Sequence, residues 1–289
     1  LKGEQKLLKG IVVYEPDSRQ KVGFFKVWAI MFHNIIASRE LIFQLFRRDF
    51  LMAYKKSFIG VGWIFISPIV GIISWVFMNY TGVLNPGDVG IPYPAYVLLG
   101  SSLWGLFMGF YGAAAGTLAA GAGFIDQVKF PHEALLFKQT AQHLAGFLIN
   151  FMVTLVVLFL LGVVPSWRIA FFPIMILPLF FLAAGMGLVV SVIGVVATDL
   201  QKGFDFLLGM VLYITPIIYS PNVENHFLQS IIQWNPLTYL VGGVRDMIVY
   251  GRIEHIDRYI YASIFAMIVF VFSWRLFFVS EEKVIEKMI

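Results

Sequence analysis

One stretch constrains this chain above all others: after Lys55 and Lys56, residues 57–83 carry no charge. A helix needs roughly 20 apolar residues to cross the hydrocarbon core of a bilayer, and this run is longer. Trp63 and Tyr80 stand near its two ends, at the depth amphipathic rings prefer, and the two lysines can snorkel toward phosphates on the near side. Pro68 interrupts the helix. Composition agrees: with 59% hydrophobic and 13% charged residues, the chain has too little polar surface to be soluble.

Further apolar tracts lie at 93–120, 144–164, 169–197, 204–219 and 259–279. The expected fold is an all-α polytopic membrane protein with six transmembrane helices. The second tract is rich in Gly, Ala and Ser, which permits close helix packing. Asn85-Pro86-Gly87-Asp88 and Pro165-Ser166-Trp167-Arg168 read as turns. Residues 121–138 read as a polar excursion, and Asp199 and Lys202 mark a second polar loop. Ahead of the first span, Glu40, Gln44, Arg47, Arg48 and Lys55 share one arc of a helical wheel, opposite Ile42, Phe43, Phe46 and Phe50. That pattern predicts an amphipathic helix over Arg39–Lys55, lying in the membrane plane. Residues 22–36 are too short to span and carry Lys26 and His33, so they read as a helix on the membrane or packed against the bundle. The expected domains are an N-terminal arm (1–36), a transmembrane domain (38–280) and a polar tail (281–289). Residues 1–6 lack an apolar h-region and do not read as a cleavable signal.

Lysines and arginines set the orientation. The N-terminal segment ahead of the first span has 11, the two polar loops three and the tail three, against four on the opposite side. The positive-inside rule then puts both termini in the cytoplasm. Residues 220–258 fall outside, between the fifth and sixth spans. There Asn235 and Pro236 read as N-cap and first helical residue and Gly251 as a stop, a helix too short to cross the bilayer. With residues 223–233 it forms a helical hairpin, re-entrant if its turn is buried in protein or water-lined.

Several chemistries are disfavoured. No Asp, Glu, Lys or Arg lies near the centre of any apolar tract, against ion-coupled transport. The five histidines lack ligand spacing, so no metal site is expected. Zero cysteines exclude disulfides and thiol chemistry, and no G-x-S-x-G, H-E-x-x-H or G-x-x-x-x-G-K-[ST] string occurs. Any nucleotide chemistry must come from a partner. The net charge of +4 sits beside the spans, where anionic lipids attract it, and no base-reading motif points to nucleic acid.

Three segments in order carry a resemblance: Arg48-Asp49-Phe50 through Tyr54–Gly60 with Trp63 and Pro68; Val128-Lys129-Phe130-Pro131; and Trp234-Asn235-Pro236-Leu237-Thr238-Tyr239 with Arg245. Together with six spans they resemble the membrane subunit of type-2 ABC exporters, of the polysaccharide and polyol-phosphate branch (O-antigen, capsule, teichoic acid). The resemblance covers residues 38–280 and implies a pore of two copies of the chain with two separate ATP-binding subunits below, which hold ATP and Mg. It implies no cofactor on this chain, a cargo linked to undecaprenyl pyrophosphate, and a place in the bacterial cytoplasmic membrane.

By the same resemblance, Arg47 and Arg48 on the interface helix and the loop Phe130, Pro131, His132 and Glu133 would touch the ATPase, with Glu133 available to pair with a partner arginine. Ordinary amphipathic and turn elements account for the same pattern. Arg47, Arg48, Lys55 and Lys56 would attract the pyrophosphate at a cytoplasmic gate, and anionic lipid explains those charges equally well. Asn235, Pro236, Tyr239 and Arg245 resemble an outer re-entrant gate, against a capped surface helix. Trp63, Trp75, Tyr80, Trp104, Tyr111, Tyr213 and Tyr219 could stack on sugars along a channel, against lipid-facing packing.

Two rivals stay open. An exporter of drugs or small lipids would need an apolar cavity without a continuous aromatic channel. A membrane glycan-processing enzyme would need convergent acids or histidines, where the sequence offers dispersed ones: Asp88, Glu224, Glu254 and Asp257.

Overall fold

The computed structural model describes residues 22–55, 62–118 and 132–286. Among these the regular elements are helices, as expected. At the centre stands α4 (Tyr93–Ala115), two thirds buried along its apolar window. It packs against α3 (Trp63–Tyr80), α5 (His132–Leu160) and α6 (Leu177–Val196), and α6 packs in turn on the long α10 (Ile256–Glu286). Small residues make this possible. A Cβ on Gly187 would come 2.5 Å from the Tyr111 carbonyl oxygen and 2.6 Å from Ala114 Cβ, so α4 and α6 touch backbone to backbone there. Gly185 plays the same part against the backbone of Phe270 on α10.

Among the described residues, four helical segments are long and apolar enough to cross a membrane: Tyr93–Ala115, Glu133–Leu160, Trp167–Val196 and Ile256–Ser280. A 3-10 turn (Trp167–Phe171) and a single α-turn (Phe172–Met175) lead into α6. Outward faces are apolar, as at Met152, Val156 and Phe159 on α5 and Ile264, Ile268 and Phe272 on α10, the inverse of a soluble surface. The expected first span is α3, 18 residues with Pro68 inside. The expected fifth span is shifted: α7 runs Thr198–Ile214 and residues 215–219 leave the helix. Pro216 has no N–H to continue a ladder, and the carbonyls freed there are taken by side chains of α4. Tyr96 donates to the Pro216 and Tyr219 oxygens at 3.0 and 2.8 Å, and Tyr93 to that of Ile218 at 3.0 Å.

Two ends of the bundle separate cleanly. On one lie α1 (Phe24–Ala37) and α2 (Arg39–Lys55), the start of α5 and the end of α10. Helix α1 is docked on the bundle: Val27 and Met31 are buried, Trp28 packs on Trp274, and Trp274 Nε1 donates to Met31 Sδ. Helix α10 runs on to Glu286, so the first six residues of the polar tail expected at 281–289 are helical. On the other end lie residues 81–92, the turn at 161–171, α8 (His226–Trp234) and α9 (Pro236–Tyr250). Ser166 N donates to the Ile248 oxygen at 2.7 Å and Arg168 Nη1 to that of Gly251 at 2.7 Å, tying α9 to the turn before α6.

Candidate functional site

At the first end, α2 has the bounds its periodicity predicts. Glu40 and Gln44 pair one turn apart on its polar arc, and Phe46 stacks on Phe50 at 5.6 Å. Arg47 and Arg48 are exposed, and Arg48 Nε holds Asp49 Oδ1 at 2.7 Å. The other carboxylate oxygen receives Lys138 Nζ of α5 at 2.6 Å, so Asp49 fastens the amphipathic helix to a spanning one. Burial works to raise the Asp49 pKa. The hydrogen bonds and charges of Arg48 and Lys138 outweigh it and hold the carboxyl below its ordinary 3.8. Sequence reasoning missed this junction because residues 49 and 138 are remote in the chain.

Part of the expected coupling loop is helix. His132 opens α5, and Glu133 sits in its first turn, where an acid favours the helix dipole. The Glu133 side chain is fully buried within the chain. The polar excursion expected at 121–138 thus ends in helix, its last seven residues forming the start of α5, and the Glu133 carboxylate lies inside the fold. Phe130, Pro131 and Lys56 lie outside the described residues, and for Lys55 and His132 only the backbone is described.

The aromatics divide. Trp75 of α3 meets Tyr213 of α7 edge to face at 6.4 Å, and Tyr219 donates its hydroxyl to the Tyr213 carbonyl at 2.9 Å. Trp63, Tyr80 and Tyr213 are exposed, on faces of α3 and α7 that also expose Ile69, Ile73, Phe206 and Met210. Trp104 and Tyr111 are buried, and Tyr111 donates to Asp205 of α7 at 2.6 Å. These two pack the core of α4 and are withdrawn as channel aromatics.

At the second end, α9 is capped as its sequence dictates. Asn235 Oδ1 accepts from Leu237 N at 3.0 Å, Pro236 takes the first position and Gly251 ends the helix at φ +67°. Asn235 Nδ2 also donates to Thr215 Oγ1 at 2.8 Å, joining the hairpin turn to the non-helical stretch after α7. Arg245 is buried, lies over the Tyr96 ring at 3.9 Å and donates to the Pro216 oxygen at 3.2 Å. Tyr239 is half-buried and donates to the Gln233 carbonyl at 3.0 Å. Among the described residues no group of three or more His, Asp or Glu side chains is placed to hold a metal.

These features define a class: a polytopic helical membrane protein with an amphipathic helix fastened to one end of the bundle and a helical hairpin fastened to the other. Residues 40–249 match the family described as ABC-2 type transporter, and the chain belongs to that family. It is similar to the "O-antigen export system permease protein RfbA" of Myxococcus xanthus, 23% identical over 70% of this chain and 78% of that one. A protein of the same name from Klebsiella pneumoniae is 23% identical over 78% of this chain and 86% of its own length. The "Polysialic acid transport protein KpsM" of Escherichia coli is 21% identical over 82% and 92%.

Proposed function

We propose that this chain is the pore-forming permease subunit of an ATP-driven exporter that moves a lipid-linked polysaccharide, of the O-antigen class, out of the cytoplasm. The observation that carries the reading is the ABC-2 match through residues 40–249, alongside relatives named for O-antigen export and polysialic acid transport. Two copies of the chain form the pore in the bacterial inner membrane, with both termini cytoplasmic and six crossings, α3 and α7 among them. Two ATP-binding subunits dock under α2 and the 130–133 segment and supply all nucleotide chemistry. The Asp49–Lys138 link supports this role for α2, because a helix fastened to α5 transmits force into the bundle. The α8–α9 hairpin acts as a re-entrant outer gate. The Trp75, Tyr213 and Tyr219 cluster, with Trp63 and Tyr80 toward the ends of α3, offers rings on which sugar faces slide.

Deleting the chain in its host while leaving the ATPase intact tests this. Lipid-linked glycan should accumulate inside and reach the surface again on complementation. Unchanged surface glycan in the deletion, or ATP turnover by the purified chain alone, would refute the assignment.

A further inference from the structure

We propose that the cavity beside α8 and α9 is a saccharide-binding site that takes uncharged sugar residues and rejects anionic ones; its ligand class rests on the export reading above. The cavity is about 580 Å³, within the roughly 300–1,000 Å³ of small-molecule sites. Its walls come from distant parts of the chain: residues 88–91 after α3, Tyr96 of α4, Pro216 and residues 220–222, the hairpin and the start of α10.

The lining suits hydroxyl groups. Gln229 and Gln233 offer amides that both donate and accept, as a sugar hydroxyl does, and Tyr239 and Tyr250 offer rings for its C–H faces. Arg245, held in place by Tyr96 and the Pro216 carbonyl, is one rigid wall with further N–H donors.

Charge decides which sugar. Asp88, Asp246, Glu254 and Asp257 line the cavity with Arg245, Arg258 and His255, so four carboxylates face two guanidiniums and one imidazole and leave the lining net negative even with the imidazole charged. Three of the four acids that the sequence reading treats as dispersed thus meet in one place. A uronic or sialic acid entering there meets like charge, whereas a neutral hexose does not.

The purified full-length chain in lipid nanodiscs can be titrated with maltotriose, and separately with a sialic acid trimer, by ligand-observed NMR saturation transfer. Maltotriose should bind and the acidic trimer should not. Gln233→Met, which keeps the length and removes the amide that lines the cavity, should weaken binding about threefold to tenfold, the worth of one hydrogen bond. Gly242→Leu should abolish binding with the fold intact, because Gly242 lines the cavity and an added Cβ there meets nothing within 4 Å. No saturation of wild type by maltotriose, equal binding by wild type and both variants, or tighter binding of the acidic trimer overturns the proposal. Cleavage of the trisaccharide overturns it in favour of a glycan-processing enzyme. Failure of the export reading shows elsewhere, as unchanged surface glycan in the deletion strain while maltotriose still binds.

Discussion

The Asp49–Lys138 link gives the most direct handle on how α2 is held to the bundle. Asp49→Asn and Lys138→Met, singly and together, remove the 2.6 Å ion pair without adding bulk. The Lys138 side chain is 13% exposed and that of Asp49 23%, which places the pair between exposed ion pairs of about 0.2–1 kcal/mol and buried ones whose rupture costs about 3–5 kcal/mol. Each single change should therefore cost about 1–3 kcal/mol, or roughly 5- to 150-fold in the ratio of docked to undocked α2. Arg48, 49% exposed on its side chain, adds little to this. The chain has no native cysteine, so one cysteine placed on each of α2 and α5 reports docking by its cross-linking rate. The pH response has a definite sign: the folded Asp49 carboxyl titrates below its ordinary 3.8, so its stabilisation is fully present above that value and lost as pH falls through the lower, folded pKa. Measured relative to a reference cysteine pair placed within α5, which cancels the pH dependence of the thiolate itself, cross-linking should stay flat from neutral pH to about 4 and decline below it. A coupling energy within about 0.5 kcal/mol of zero in the double-mutant cycle would refute the link.

Gly187→Leu should lower Tm sharply and prevent assembly, because its Cβ falls on the backbone of α4, whereas Gly209→Ala, with nothing within 4 Å, should leave Tm unchanged or raise it. Equal Tm values would sink the account of the α4–α6 contact. Tyr213→Ala removes a ring that is 57% exposed, so it should cost well under the roughly 3–5 kcal/mol of a buried aromatic while slowing export of long glycans; early melting with export proportional to surviving protein would make it packing. Trp75→Ala should share the export defect with a larger loss of stability, since Trp75 is partly buried against the core. Glu133→Ala should lower Tm as well as uncouple export, because the side chain is fully buried, and a wild-type melting curve would contradict that placement.

The sequence determined what depends on neighbours a few residues apart. Hydropathy summed over a window marks apolar tracts, a 3.6-residue period marks α2 from Arg39 to Lys55, and Asn235, Pro236 and Gly251 set both ends of α9 through local hydrogen bonds and backbone φ. Family membership was legible for the same reason, since its motifs are short and ordered. Tertiary structure decided what depends on partners remote in the chain. Polar composition made residues 132–138 read as loop, but packing turned them into the first turns of α5 and buried Glu133. Proline and the hydroxyls of Tyr93 and Tyr96 ended α7 at Ile214, short of where hydropathy carried it. Identical rings met different fates: Tyr111 went inside with Asp205, while Tyr213 stayed at the surface beside Trp75. Arg245 found Tyr96 and Asp49 found Lys138, because each outcome needed helices far apart in sequence to settle at fixed distances, and no window of sequence contains those distances.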